Sequence, residues 1–124
     1  MLINLSNHPA AKWSSQQLTA ALIYGKIIEL PFPDVDPSGD EEYIRTLCEE
    51  YLQKIDDISR DLACHVSEIV VHIMGEMTFT FTMVNSLQKQ GIMCIASATE
   101  RVSSEENGVK ISEFRFVQFR KYLS

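Results

Sequence analysis

The sequence predicts an α/β protein, a Rossmann-like three-layer sandwich around a mostly parallel sheet. Short β-rich apolar runs alternate with helical patterns, the signature of βαβ units. Three runs end in polar stretches, at Ser6-Asn7-His8, Gly75-Glu76-Met77-Thr78 and Ser97-Ala98-Thr99-Glu100-Arg101. In a parallel sheet those stops fall along one edge. Asn107-Gly108, between two extended stretches, predicts a closing hairpin.

Leu2 to Leu5 reads as the first strand. Ser14 with Gln17 resembles a capping box, and Leu18, Ala21 and Leu22 follow at helical spacing up to a stop at Gly25. Lys26 to Leu30 is a second short strand, bounded by Pro31 and Pro33, and a turn-rich loop runs on to Gly39. Ser38 with Glu41 forms another capping-box pattern. Behind it Ile44, Leu47, Cys48, Tyr51, Ile55, Ile58 and Leu62 recur at three and four, the strongest helical signal in the chain. Glu68 to Met74 is rich in β-branched residues and reads as a buried central strand. A third helix is expected from about Thr78 to Gln90, stopped by Gly91, and Ile92 to Ala96 is the fourth strand. That strand continues through Thr99 to Ser103 into the hairpin, whose return arm spans Val109 to Phe119. On this arm Phe114 and Phe116 face one way, Arg115 and Val117 the other. Right-handed crossovers make the order 2-1-3-4, with the antiparallel last strand beyond strand four. The switch point then lies between strands one and three.

Length and composition bound the reading. At 124 residues the chain suits a single domain, residues 1–124. A chain of this size buries roughly two-thirds of its unfolded surface, enough to fold without staples. No apolar run reaches the length of a membrane span, and the first residues lack a basic region followed by a long apolar stretch. Cys48, Cys64 and Cys94 are odd in number and scattered, which argues against a disulfide framework and fits a reducing cytoplasm. A net charge of −6 argues against a broad surface for long nucleic acid. A small anionic ligand needs only a nest of amides and one or two cations.

The polar stops carry the candidate chemistry. Gly75-Glu76-Met77-Thr78 would point free amides and a helix dipole at an anion above the sheet; Thr78 either caps that helix or donates to a phosphate. His8 is a general acid or base by its ordinary titration range, or else a surface histidine beside Pro9. Asn7 supports that turn, and Lys12 supplies a cation. Trp13 anchors the helix by packing or stacks on a base. Arg101 offers a bidentate phosphate contact or pairs with Glu100, Glu105 or Glu106. Ser97 and Thr99 place hydroxyls at the end of strand four. His65 and His72 belong to no paired metal motif, so neither a metal nor a cofactor is expected; His72 reads as a satisfied core histidine. Met77, Phe79, Phe81, Met83, Val84 and Leu87 spread apolar surface around helix three, suggesting a homodimer through the helix 78–90 face.

Together these features resemble the small CRISPR-associated CARF-like, Rossmann-type ring nucleases of type III systems. The likeness is clearest from Gly91 to Tyr122, in Thr99, Arg101, Gly108, Phe116, Phe119, Arg120 and Tyr122. The resemblance implies binding of a cyclic oligoadenylate second messenger, with cyclic tetra-adenylate the first ring to try, across a dimer axis. It further implies metal-independent cleavage, in which a ribose 2′-hydroxyl attacks the adjacent phosphodiester and leaves a 2′,3′-cyclic phosphate. In that picture His8 shuttles the proton, and Arg101 and Lys12 neutralise charge. The Gly75–Thr78 turn, with Glu76 and Met77, holds a phosphate. Asn7, Ser97 and Thr99 position ribose or adenine. Glu76 departs from the picture, since a carboxylate repels phosphate unless it turns away, meets an adenine amino group or takes a proton. A sensor or sponge without catalysis, and a protein-interaction module, are the alternative functions.

Overall fold

A computed structural model describes residues 1–124. The chain runs β1 (Leu2–Ser6), α1 (Ser15–Ala21), β2 (Ile27–Glu29), α2 (Glu41–Asp61), β3 (Val70–Met74), α3 (Met77–Lys89), β4 (Met93–Glu106) and β5 (Val109–Lys121). Single 3-10 turns occupy Ala10–Lys12, Leu22–Tyr24 and Val66–Glu68. The sheet order is β2-β1-β3-β4-β5, as the crossover rule predicts. Its first four strands are parallel and β5 pairs antiparallel with β4.

The period of two divides the strand side chains between two cores. Ile3, Leu5, Val71, Ile73 and Cys94 pack with Cys48 and Ile55 of α2 and with Phe79, Met83, Val84 and Leu87 of α3. Leu2, Val70 and Ile95 face the other way, onto Trp13 and Ala21. Residues of the second face near the strand ends are polar: Asn4, Ser6 and His72 are all buried. A buried polar group requires a partner, so this face holds a hydrogen-bond network where the opposite face holds an apolar core.

Two local details differ from expectation. The N-cap of α2 is Asp40, which accepts from the Tyr43 amide at 2.9 Å. Ser38 instead turns back and donates its amide and hydroxyl to Asp36. A carboxylate with a free amide three residues on outcompetes the earlier serine for the cap. On α3, four of the six residues read as surplus apolar surface are absorbed by the core. Only Met77 (82% exposed) and Phe81 (70%) remain outside, beside Leu123.

The β4–β5 hairpin is longer than the strand patterns suggest. Asn107 and Gly108 both take positive φ, 53° and 78°, the geometry that a two-residue hairpin turn requires. The register shifts between Ala98 and Thr99, where Ala98 pairs Gln118 and Thr99 pairs Phe116. Val117 is the extra residue of a bulge. The bulge changes the parity of the arm, so Phe116 and Phe119 share a face with ring centroids 4.9 Å apart.

Candidate functional site

A groove of about 700 Å³ opens over the carboxyl ends of β1, β3 and β4, on the face that carries α1. Its floor follows from the strand ends. Ser6, His72, Met74 and Ser97 line it from the sheet, and Asn7, His8, Lys12, Ser14 and Gln17 from the chain between β1 and α1. Glu113, Phe114, Arg115 and Phe116 of β5 form the far wall with Thr99.

A buried network fixes the groove. Asn4 donates its side-chain amide to Glu29 Oε1 (2.8 Å) and to the His8 carbonyl (3.1 Å). Both partners accept only, so the orientation of the Asn4 amide is set. Asn4 Oδ1 then accepts from the Ser6 hydroxyl at 2.7 Å and meets His72 Nδ1 at 2.8 Å. Glu29 Oε2 accepts from the Ala10 amide, and Trp13 Nε1 donates to the His8 carbonyl. These bonds clamp the His8 backbone while its ring stays exposed, with Nε2 3.3 Å from the Lys12 carbonyl. His72 is 1% exposed and ringed by Trp13 and Phe119. Burial, with a smaller contribution from nearby His8, pushes its pKa down to about 4, so the ring is neutral near pH 7.

The residues singled out from sequence are divided among different surfaces. Asn7, His8, Lys12, Ser97 and Thr99 line the groove together. Glu76 and Thr78 line a separate cavity of about 490 Å³ beside Asp36, Asp40 and Arg45. Gly75 and Met77 border a third, of about 530 Å³, with Phe81 and Tyr122. Arg101 sits one pleat beyond Thr99 and lines none of the three; its guanidinium donates to Ser112 Oγ at 3.2 Å, toward the hairpin tip. The pairing expected with Glu100, Glu105 or Glu106 is absent, for the ion pairs are Arg45–Glu42, Arg60–Asp56 and Arg115–Glu113. Arg115, not singled out from sequence, stands in the groove wall. The two arginines lie within one register step, Arg115 opposite Glu100 and Arg101 opposite Phe114, and what separates them is that the Arg101 guanidinium turns toward the tip, to Ser112.

The Gly75–Thr78 turn is corrected in its geometry. Glu76 is the N-cap of α3, and its carboxylate accepts from the Thr78 amide (3.0 Å), the Phe79 amide (2.8 Å) and the Thr78 hydroxyl (2.8 Å). Those bonds hold its carboxyl below the usual carboxylate range. Two of the helix-end amides expected to meet a phosphate, those of Thr78 and Phe79, are therefore taken internally. Gly75 is required by packing, because a Cβ there would lie 2.2 Å from the Phe32 ring.

Sequence reasoning passed over Asn4, Glu29 and Gln17. Asn4 did leave a signal, as a lone amide on the inward-reading face of the first strand. No group of three or more His, Cys, Asp or Glu side chains is placed to hold a metal ion. No helix is long and apolar enough to cross a membrane.

A family model described as the Uncharacterized protein MJ1673 family matches residues 1–120. No curated protein and no solved structure matches. Because the match runs from the first strand almost to the end of β5, the chain belongs to the MJ1673 family.

Proposed function

We propose that the protein is a metal-independent ring nuclease that binds a cyclic oligoadenylate in the groove over β1, β3 and β4 and opens it by ribose 2′-hydroxyl attack. Its fold is taken as a Rossmann-like three-layer sandwich of the CARF-like kind, and its role as control of type III CRISPR signalling. The observation that carries this reading is the grouping of His8, Lys12, Asn7, Ser97 and Thr99 around one groove at the strand carboxyl ends, where open α/β sheets bind ligands. Lys12 and Arg115 offset phosphate charge there, and His8 moves the proton. Asn7 and Thr99 contact ribose or base. Arg101 takes part only by swinging back from Ser112.

A cavity of about 700 Å³ suits a drug-sized ligand and is small for a ring of four nucleotides. Two grooves about a two-fold axis would share one ring. Met74 borders both the groove and the apolar surface of Met77, Phe81 and Leu123, which makes that surface the natural dimer contact. A cytoplasmic homodimer follows from this reading.

Excess protein incubated with cyclic tetra-adenylate in EDTA is expected to give linear products with 2′,3′-cyclic phosphate ends. Intact ring after long incubation would remove the enzyme. The sponge reading is favoured by one observation, the engagement of His8 Nε2 with the Lys12 carbonyl. It predicts stoichiometric recovery of intact ligand and a stabilisation of about 2.7 kcal/mol at a hundred times Kd.

A further inference from the structure

We propose that Ser97 is an activated nucleophile toward phosphoryl groups, with His72 as its proton acceptor and an anionic phosphoester as its class of substrate. The protonation pattern follows from the network. Asn4 presents Oδ1 to His72, since its amide nitrogen is committed to Glu29 and His8. His72 must therefore carry its proton on Nδ1, which leaves Nε2 as a bare acceptor. The Ser97 hydroxyl lies 2.7 Å from that nitrogen and donates to it. Gln17 Nε2 completes the arrangement by donating to Ser97 Oγ at 3.1 Å. Serine, neutral imidazole and an orienting amide thus stand in series, the logic of a base-activated hydroxyl. Glu29 lies behind the amide, where it would offset charge developing on the ring.

The surroundings suit a phosphoryl electrophile. Pairing between β3 and β4 ends at His72 and Ile95, so the Ser97 amide has no ladder partner across that gap. It meets the Met74 thioether at 3.2 Å, a weak acceptor that an oxyanion would displace. Ser97 is half-buried and lines the groove beside Lys12 and Arg115.

In the reaction, Ser97 Oγ bonds to phosphorus and its proton passes to His72 Nε2. The phosphorus–oxygen bond to the leaving alcohol breaks, its electron pair stays on oxygen, and that oxygen takes the proton from Nε2. Water then attacks the phosphoseryl ester, giving a proton to Nε2. Ser97 Oγ departs with its electron pair and regains that proton. The sum is phosphodiester and water to phosphomonoester and alcohol. This inference goes beyond ring cleavage, because it needs no ribose 2′-hydroxyl, and either reading can fail while the other stands.

A fluorophosphonate probe, read by intact mass and peptide mapping, tests it. One adduct per chain is expected, on Ser97, absent in Ser97→Ala and formed about a hundredfold more slowly in His72→Gln. No adduct on the folded protein, an adduct elsewhere, or an unchanged rate in a folded His72→Gln would overturn it. A wild-type pH profile keeps the test open if that variant fails to fold. His72 is faced by Asn4 and, through it, Glu29, and also by His8, Trp13, Gln17, Ser97 and Phe119. With His72 as acceptor, labelling should be flat from about pH 6 to 9 and fall toward the acid range. A climb of about tenfold per pH unit across that interval marks an unactivated hydroxyl and overturns the proposal.

Discussion

Gly75 and Glu76 look like parts of an anion site when read as sequence, and the folded chain uses both internally. A side chain at position 75 would strike Phe32, which stacks edge-on against Phe79 at 5.2 Å. Gly75→Ala is expected to cost about 1–3 kcal/mol, the range for overpacking, measured by urea unfolding. Glu76→Ala should cost about 1 kcal/mol through loss of the α3 cap and leave ligand binding in the groove unchanged. A large loss of binding in Glu76→Ala, with the fold intact, would return the turn to the site. The signal for a cap was present in the sequence as a carboxylate two and three residues ahead of free amides. That the carboxylate takes two of the amides a phosphate would need was visible only in the folded geometry.

At the scale of elements, the bulge at Val117 lets two rings three residues apart share one face of the arm. It sets Phe116 and Phe119 on one face, and Phe119 in turn packs against Trp13 (6.0 Å) and His72 (5.4 Å). Deleting Val117 would restore an unbroken register in which Phe116 stays opposite Thr99 and Phe119 opposite Ser97, both rings still on one face. The expected result is a Trp13 emission maximum unchanged from wild type, because Phe119 still reaches Trp13. A red-shifted spectrum would mean that the bulge itself, and not side-chain parity, seats Phe119 against Trp13. The hairpin turn was legible because Asn-Gly is the residue pair that tolerates two successive positive φ values. The bulge was not, since an extra residue leaves no mark in a strand pattern until its partner strand is fixed. Arg101 and Arg115 could not be ranked for the same reason.

Across the whole molecule, acid sensitivity should track the buried histidine. Folding holds the His72 pKa at about 4, below its ordinary value, so between those limits the unfolded chain binds the extra proton. Stability then rises with pH through this window and declines as pH falls from about 6.5 toward 4, by on the order of 3 kcal/mol. Glu76, lowered by its cap, adds a further loss below the usual carboxylate range. Urea midpoints between pH 7 and 4 check this, and a flat midpoint down to pH 5 would mean that His72 is not held neutral by burial. At the same scale, Phe81→Glu should convert a dimer to monomer in light scattering while leaving the monomer fold intact. A monomeric wild-type protein would end the shared-ring geometry.

The sequence by itself determined the strand order, the position of each helix to within a residue or two, the hairpin, and the edge on which polar strand ends gather. Periodicity and turn chemistry are local, and handed crossovers turn that local pattern into topology. Only the tertiary structure decided which polar residues share a cavity. His8, Lys12 and Ser97 converge with Asn4, Gln17 and His72, whereas Thr78 and Arg101 go elsewhere. Neighbours along one sheet edge can lie on opposite faces of it, and that choice rests on side-chain parity, a one-residue bulge and competition for hydrogen bonds between parts of the chain far apart in sequence.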